Sequence, residues 1–222
     1  MEISRLRTRT QKRRHRASGF SLLEMMMVVA IIIILATISF ISLVPLLKQQ
    51  RVTNAYNTTL GAFRLARDNA VSKRTSYSVT FASTSTSNTI TVAPTLTGGF
   101  QGQDSSTVYT LPSDVAFTAL TGLPATGTPD NYGSGTTAID LGYTASSSGG
   151  SSVVYFCPDG TSQDAAGGAG QCTGNWSGGV VYIARQGELL SSRAITLWGG
   201  TGRVRGWRLY PNTSGGYQWL RQ

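Results

Sequence analysis

Histidine is nearly absent from this chain. The single one among 222 residues is His15, so nothing downstream of it can supply an imidazole general base or a Ser-His or Cys-His pair. Carboxylate chemistry would need acids placed together, but the ten Asp and Glu residues are scattered, with no pair at a telling spacing. The composition therefore argues against an enzyme, and no catalytic residue, cofactor or metal is expected. Cysteine is scarce too: only Cys157 and Cys172. A two-cysteine metal site would lack nitrogen ligands, whereas a disulfide fits an exported domain in an oxidising compartment. A bridge would close a loop of 16 residues, for which the chain-entropy model gives about 3 kcal/mol. Positive charge is missing from one long region. Residues 75–184 contain no Lys or Arg but hold Asp104, Asp114, Asp130, Asp140, Asp159 and Asp164.

The chain begins very differently. A basic stretch is followed by Gly19-Phe20-Ser21-Leu22-Leu23-Glu24 and then by an apolar run over residues 25–47. Glu24 stands at the mouth of that run, and a charge beside a bilayer core is costly unless it has a partner or a task. The run is long enough to span a bilayer, which takes about 20 residues. It exits through Lys48-Gln49-Gln50-Arg51 with no small-residue cleavage site behind it, unlike an ordinary signal peptide. The order basic, glycine, aromatic, acid, apolar resembles the prepilin-type signal of type IV pilins and type II secretion pseudopilins. That resemblance implies a membrane peptidase that cuts after Gly19 and methylates the new amino terminus, Phe20. Residues 1–19 are then a discarded leader, residues 20–47 an inner-membrane helix, and residues 48–222 a periplasmic globular domain.

The leader carries seven Lys and Arg against Glu2, so it accounts for +6 of the formal net charge of +9. Excess Lys and Arg beside a span stays cytoplasmic, which sets the expected orientation. What remains is polarised: net +4 over residues 20–74, −6 over residues 75–184 and +5 over residues 185–222. Either the surface is polarised or the acidic middle and the basic tail pair across the fold.

Residues 20–74 read as one long helix. Its second half places Val52, Ala55, Tyr56, Leu60, Phe63, Ala66, Ala70 and Val71 at steps of three and four, one apolar face. Pro45 should kink or loosen it. Small residues Ala30, Ala36, Ser39 and Ser42 would let helices approach closely. From residue 75 onward the pattern alternates between apolar and polar residues. Tyr77, Val79 and Phe81 and then Ile90 and Val92 mark two strands. Others are expected at 107–111, 115–120, 138–143, 152–156, 179–184, 194–198, 203–210 and 217–220. Loops are expected at 97–106, 122–136, 145–151 and 157–177, with the Gly-rich stretch 165–170 as the tip of the bridged loop. Pro158-Asp159-Gly160-Thr161 reads as a turn and lacks the alternating acids of a Ca²⁺ loop. The fold class expected is α+β: a long N-terminal helix, transmembrane in its first half, packed against antiparallel sheet.

That layout is similar to the pilin-like fold, and within it to the GspH/FimT family of minor pilins and pseudopilins. The residues that carry the likeness are the leader, residues 62–71 (AFRLARDNAV), 156–160 (FCPDG), 176–181 (WSGGVV), 193–197 (RAITL) and 201–206 (TGRVRG). The resemblance implies a structural and assembly subunit of a type IV pilus or a type II secretion pseudopilus. Its partners would be a prepilin peptidase, other pilin subunits and the inner membrane. It also implies that Glu24 pairs with the methylated amino terminus of a neighbouring subunit. FimT-like members used in DNA uptake carry a Gly-Arg-x-Arg motif, matched here by Gly202-Arg203-Val204-Arg205 with Trp207 and Arg208 beside it. Arg203, Arg205 and Arg208 would contact phosphates, and Trp207 or Trp198 could stack a base. The alternative is a C-terminal strand whose arginines offset the acidic middle of the fold.

Overall fold

Ser21 caps the first helix. Its hydroxyl accepts the Glu24 N–H at 3.4 Å, which satisfies one of the amides that a helix start leaves without an internal partner. In this computed structural model, which describes residues 19–84, 87–96, 105–167 and 171–222, the helix is α1 (Leu22–Lys73). Residues 1–18 of the leader, loop positions 97–104 and Gly-rich positions 168–170 lie outside the described residues. The chain divides into two units, residues 1–45 and residues 46–222. In the first unit every described side chain of α1 is exposed, and the helix is long and apolar enough to cross a membrane. Pro45 lies inside α1 and does not end it.

In the second unit α1 turns one face inward. Val52, Ala55, Tyr56, Ala62, Phe63, Ala66 and Ala70 are buried, at the spacings that one helical stripe requires. The buried face differs from the expected one: Ala62 and Thr59 join it, Leu60 is only partly buried and Val71 leaves it. Val71 is exposed, because it lies about 100° around the helix from Ala70. Thr59 is fully buried. Its hydroxyl donates back to the Ala55 carbonyl at 2.8 Å, so this polar side chain enters the core already satisfied.

Twelve strands follow among the described residues. They are β1 (Tyr77–Ser83), β2 (Asn88–Pro94), β3 (Thr107–Thr110), β4 (Val115–Phe117), β5 (Ile139–Tyr143), β6 (Ser148–Ser151), β7 (Val153–Phe156), β8 (Ser162–Gln163), β9 (Gly178–Arg185), β10 (Arg193–Trp198), β11 (Arg203–Pro211) and β12 (Tyr217–Arg221). They form two sheets. The first has five strands in the order β3-β2-β1-β7-β8; the second runs β12-β11-β10-β9-β5-β6, with β4 also on β9. Every described pairing is antiparallel. This is the α+β, pilin-like arrangement: a long N-terminal apolar helix followed by antiparallel sheets. Two strands run against expectation. β6 lies in the expected loop 145–151; its Ser-Gly-Gly-Ser has no apolar residue to reveal it, and it is held by backbone pairing to β5. β8 lies inside the bridged loop and pairs with β7.

One core joins the helix to both sheets. Phe63 meets Phe81 of β1 at 5.3 Å and Phe156 of β7 at 6.2 Å between ring centroids, and Phe81 meets Phe117 of β4 at 5.3 Å. Val181 and Ile183 of β9 and Ile195 and Leu197 of β10 complete it from the second sheet. The other face of that sheet has its own small core of Val180, Tyr182, Ala194, Leu209 and Trp219, covered by Ala119, Leu123 and Tyr132 from the loop before β5.

Cys157 and Cys172 are joined in a disulfide. The arms of their loop are also tied by Asp164 N–H to the Asn175 carbonyl at 3.1 Å and by Gly167 N–H to the Gln171 carbonyl at 2.7 Å. Replacing both cysteines with serine should therefore lower unfolding stability by about 3 kcal/mol, the entropy of a loop this size. Denaturant unfolding of the double variant against the oxidised protein checks this; equal midpoints would contradict it.

Candidate functional site

Three stretches far apart in the chain close on one another. Arg67, in the last turns of α1, donates from Nε to the Gly160 carbonyl at 3.1 Å. Gly160 belongs to the turn after Cys157. There the Asp159 carboxylate accepts the Thr161 N–H at 2.9 Å and the Thr161 hydroxyl at 2.7 Å, the Asx-type turn expected of Pro-Asp-Gly. Gly202, which leads into β11, sits over the same place. A Cβ there would lie 2.1 Å from the Gly160 oxygen and 3.0 Å from Arg67 Nε, and its φ is +57°. Only glycine meets both demands. The glycine of Gly-Arg-Val-Arg is thus a packing requirement of the fold, whatever its neighbours contact.

The three arginines singled out from the sequence go to three places. Arg203 is exposed and has no ion pair among the described residues. It lines an open groove of about 490 Å³ with Arg64, Arg67, Asp68, Thr201, Gly202 and Val204. Arg205 is on the sheet face away from α1. Its guanidinium donates to Asp130 Oδ1 at 2.7 Å, and it lies over the Trp198 ring at 5.3 Å. Arg208 is on the α1 side, opposite Arg193 in the β10–β11 register, and lines a different cavity with Lys48.

Asp130 organises the middle of these. Besides Arg205, its carboxylate accepts the Thr196 hydroxyl at 2.5 Å and the Trp198 indole N–H at 3.0 Å. Trp207 in turn donates to Thr196 Oγ1 at 3.0 Å. Both tryptophans considered for base stacking thus have their N–H groups committed to one network. Asp130 itself adopts a left-handed backbone (φ 51°), a conformation that Asp tolerates better than most residues. Burial acts to raise its pKa, but the bonds from Thr196, Trp198 and Arg205, together with the Arg205 charge, outweigh it, and the net shift is downward. The acidic middle and the basic tail do pair across the fold, at Asp130 with Arg205 and at Asp114 with Arg185 (3.7 Å); Asp114 also meets Arg51 of α1 at 3.3 Å. Arg64, Arg67 and Arg193 were not foreseen in this role, because nothing in a linear sequence shows which charges the fold leaves without a counterion. No group of three or more His, Cys, Asp or Glu able to hold a metal occurs among the described residues.

At the other end of the chain, Phe20 is exposed. Glu24 lies in the first turn of α1, where a carboxylate favours the positive end of the helix dipole. Glu24 has no ion-pair partner among the described residues.

Because the folded pKa of Asp130 is depressed, its contribution to stability is fully present above the ordinary carboxylate value of about 3.9. It is lost as pH falls through the lower folded value. Asp130→Asn should cost on the order of 2 kcal/mol at pH 7, the worth of charge-assisted hydrogen bonds. The gap between wild type and variant should close below about pH 4. Thermal unfolding from pH 7 to pH 3 measures it; a gap that does not change with pH would refute the assignment.

Against known protein families, residues 14–40 match the family model of the prokaryotic N-terminal methylation motif. Neither the curated proteins nor the solved structures give a match. The matched segment contains Gly19, Phe20 and Glu24 and most of the apolar run. The match supports a type IV pilin-like protein; with the apolar helix it suggests membrane anchoring, and the motif implies processing by prepilin peptidase and assembly with other pilins.

Proposed function

We propose that this protein is a minor pilin or pseudopilin of the GspH/FimT kind, a structural and assembly subunit of a type IV pilus or a type II secretion pseudopilus. The observation that carries the reading is the methylation motif at residues 14–40 running directly into α1 and an antiparallel globular domain. Prepilin peptidase cuts between Gly19 and Phe20 and methylates Phe20. The helix then anchors the subunit in the inner membrane with the globular domain in the periplasm. On assembly the apolar half of α1 enters a nonpolar helix bundle. There a lone carboxylate needs a cation, and the methylated amino terminus of a neighbouring subunit supplies it to Glu24. That pair fixes axial register and helps draw the helix out of the lipid.

A second reading, a DNA-binding minor pilin for DNA uptake, is supported by the open groove of Arg64, Arg67 and Arg203. Its cations are spaced along one surface and carry no ion pair among the described residues, as contacts to a phosphate backbone require. Arg205 and Arg208 are held in other environments and would contribute less than Arg203.

Glu24→Ala should leave leader cleavage intact and lower incorporation into filaments by roughly tenfold or more, since breaking a buried charge pair costs several kcal/mol. Mass spectrometry of the amino terminus and pull-down of sheared filaments read the two effects separately; normal incorporation would sink the register role. For the second reading, the full chain in neutral detergent is titrated with double-stranded DNA across a salt series. Binding should weaken with salt and be lost in Arg64→Ala plus Arg203→Ala. Binding indifferent to those changes removes the groove as a DNA site.

A further inference from the structure

The pair of a buried Arg193 and a partly buried Arg208 on the α1 side of β10 and β11 has no ion-pair partner among the described residues. Arg193 is only 6% exposed and stands directly opposite Arg208 in the strand register, an arrangement in which like charges repel. Arg193 Nη1 and Arg208 Nε are both buried without an acceptor. The Arg208 guanidinium rests on the Tyr210 ring at 5.1 Å, a cation–π contact that brings no ionised partner. Glu188, which lines the same cavity, is already engaged by Arg185. Burial first and the Arg208 charge second lower the pKa of Arg193, as expected where a cation is enclosed without an anion.

The two guanidinium groups border a cavity of about 480 Å³ that Lys48 and Gln49 of α1 close from one side and residues 188–191 from the other. Three cations thus surround a space large enough for a small oxyanion. Guanidinium forks match the paired oxygens of phosphate, and a lysine adds a mobile point charge. Lys48 is also the first charged residue after the apolar run 25–47, where lysine side chains reach for lipid headgroups. The cavity rim carries apolar surface as well, in Val52, Leu189 and a half-exposed Leu190. Cations beside leucines at the end of a membrane span suit an amphiphilic anion.

We infer that Arg193, Arg208 and Lys48 form a phosphate-binding site, filled by the headgroup of an anionic glycerophospholipid or by free phosphate. The lipid source rests on the membrane anchoring proposed above; the phosphate chemistry does not.

The test uses the full chain in neutral detergent. In one arm, thermal unfolding is followed with sodium phosphate against sodium chloride at equal ionic strength. In the other, the chain is mixed with phosphatidylglycerol or phosphatidylcholine, and retained lipid is counted by native mass spectrometry. Stabilisation by phosphate alone assigns free phosphate. Retention of one phosphatidylglycerol but not phosphatidylcholine assigns the lipid. In either case Arg208→Gln and Lys48→Gln should bind roughly tenfold more weakly, the loss of one charge-assisted contact each, while Arg221→Gln, an equal charge change on β12, should not. Lys48→Gln lies on a helix surface, so it remains informative even where a strand variant fails to fold. No response in either arm, or equal weakening by Arg221→Gln, overturns the site. The readout is binding by isolated chains, so it is independent of filament incorporation by Glu24→Ala.

Discussion

Everything in the globular unit is arranged around the apolar stripe that α1 presents between Val52 and Ala70. Phe63 is its centre, touching β1 and β7 of the first sheet through Phe81 and Phe156. The second sheet is applied to the same helix through Ile195 and Leu197. Alanines at 62, 66 and 70 keep the helix surface low, which allows strands to approach closely. At Gly206 the strand leaves room for the Tyr56 side chain, since a Cβ there would collide with the Tyr56 hydroxyl. The two sheets therefore share a core through one helix.

With the core settled, the charges divide by environment. Arg205 is consumed in a structural knot that pins the loop before β5 onto the second sheet through Asp130. Arg203, Arg64 and Arg67 stay at the surface around the Gly160–Gly202 contact. Arg193 and Arg208 are enclosed together on the α1 side. Strand alternation alone separates Arg205 from Arg208, because successive side chains of β11 face opposite sides of the sheet. The Gly-Arg-Val-Arg motif and the neighbouring Arg208 therefore serve several surfaces, and these arginines cannot be treated as one unit.

Much of this is legible in the sequence. Tyr77, Val79 and Phe81 alternate cleanly and are buried as β1, and the helical stripe was visible in the steps from Val52 to Ala70. The Cys157–Cys172 bridge followed from there being only two cysteines. What could not be read has a common cause. β6 is held by backbone bonds and has no apolar pattern, Thr59 hides its polarity with a bond to its own helix, and Asp130 gains its role from partners 66 to 75 positions away. A linear pattern reports which residues want burial. It does not report which polar groups will find each other once burial has brought the chain together.

The contact of Tyr56 with Gly206 also has a temporal side. The helix that carries the stripe is made early, and β11, which covers Tyr56, is made 150 positions later. At ordinary synthesis rates that interval is on the order of ten seconds. Until then the second sheet that packs on Tyr56, Phe63 and their neighbours is incomplete. The newborn chain thus carries an adhesive helix face whose own cover has yet to be made, and it must be kept from finding a substitute.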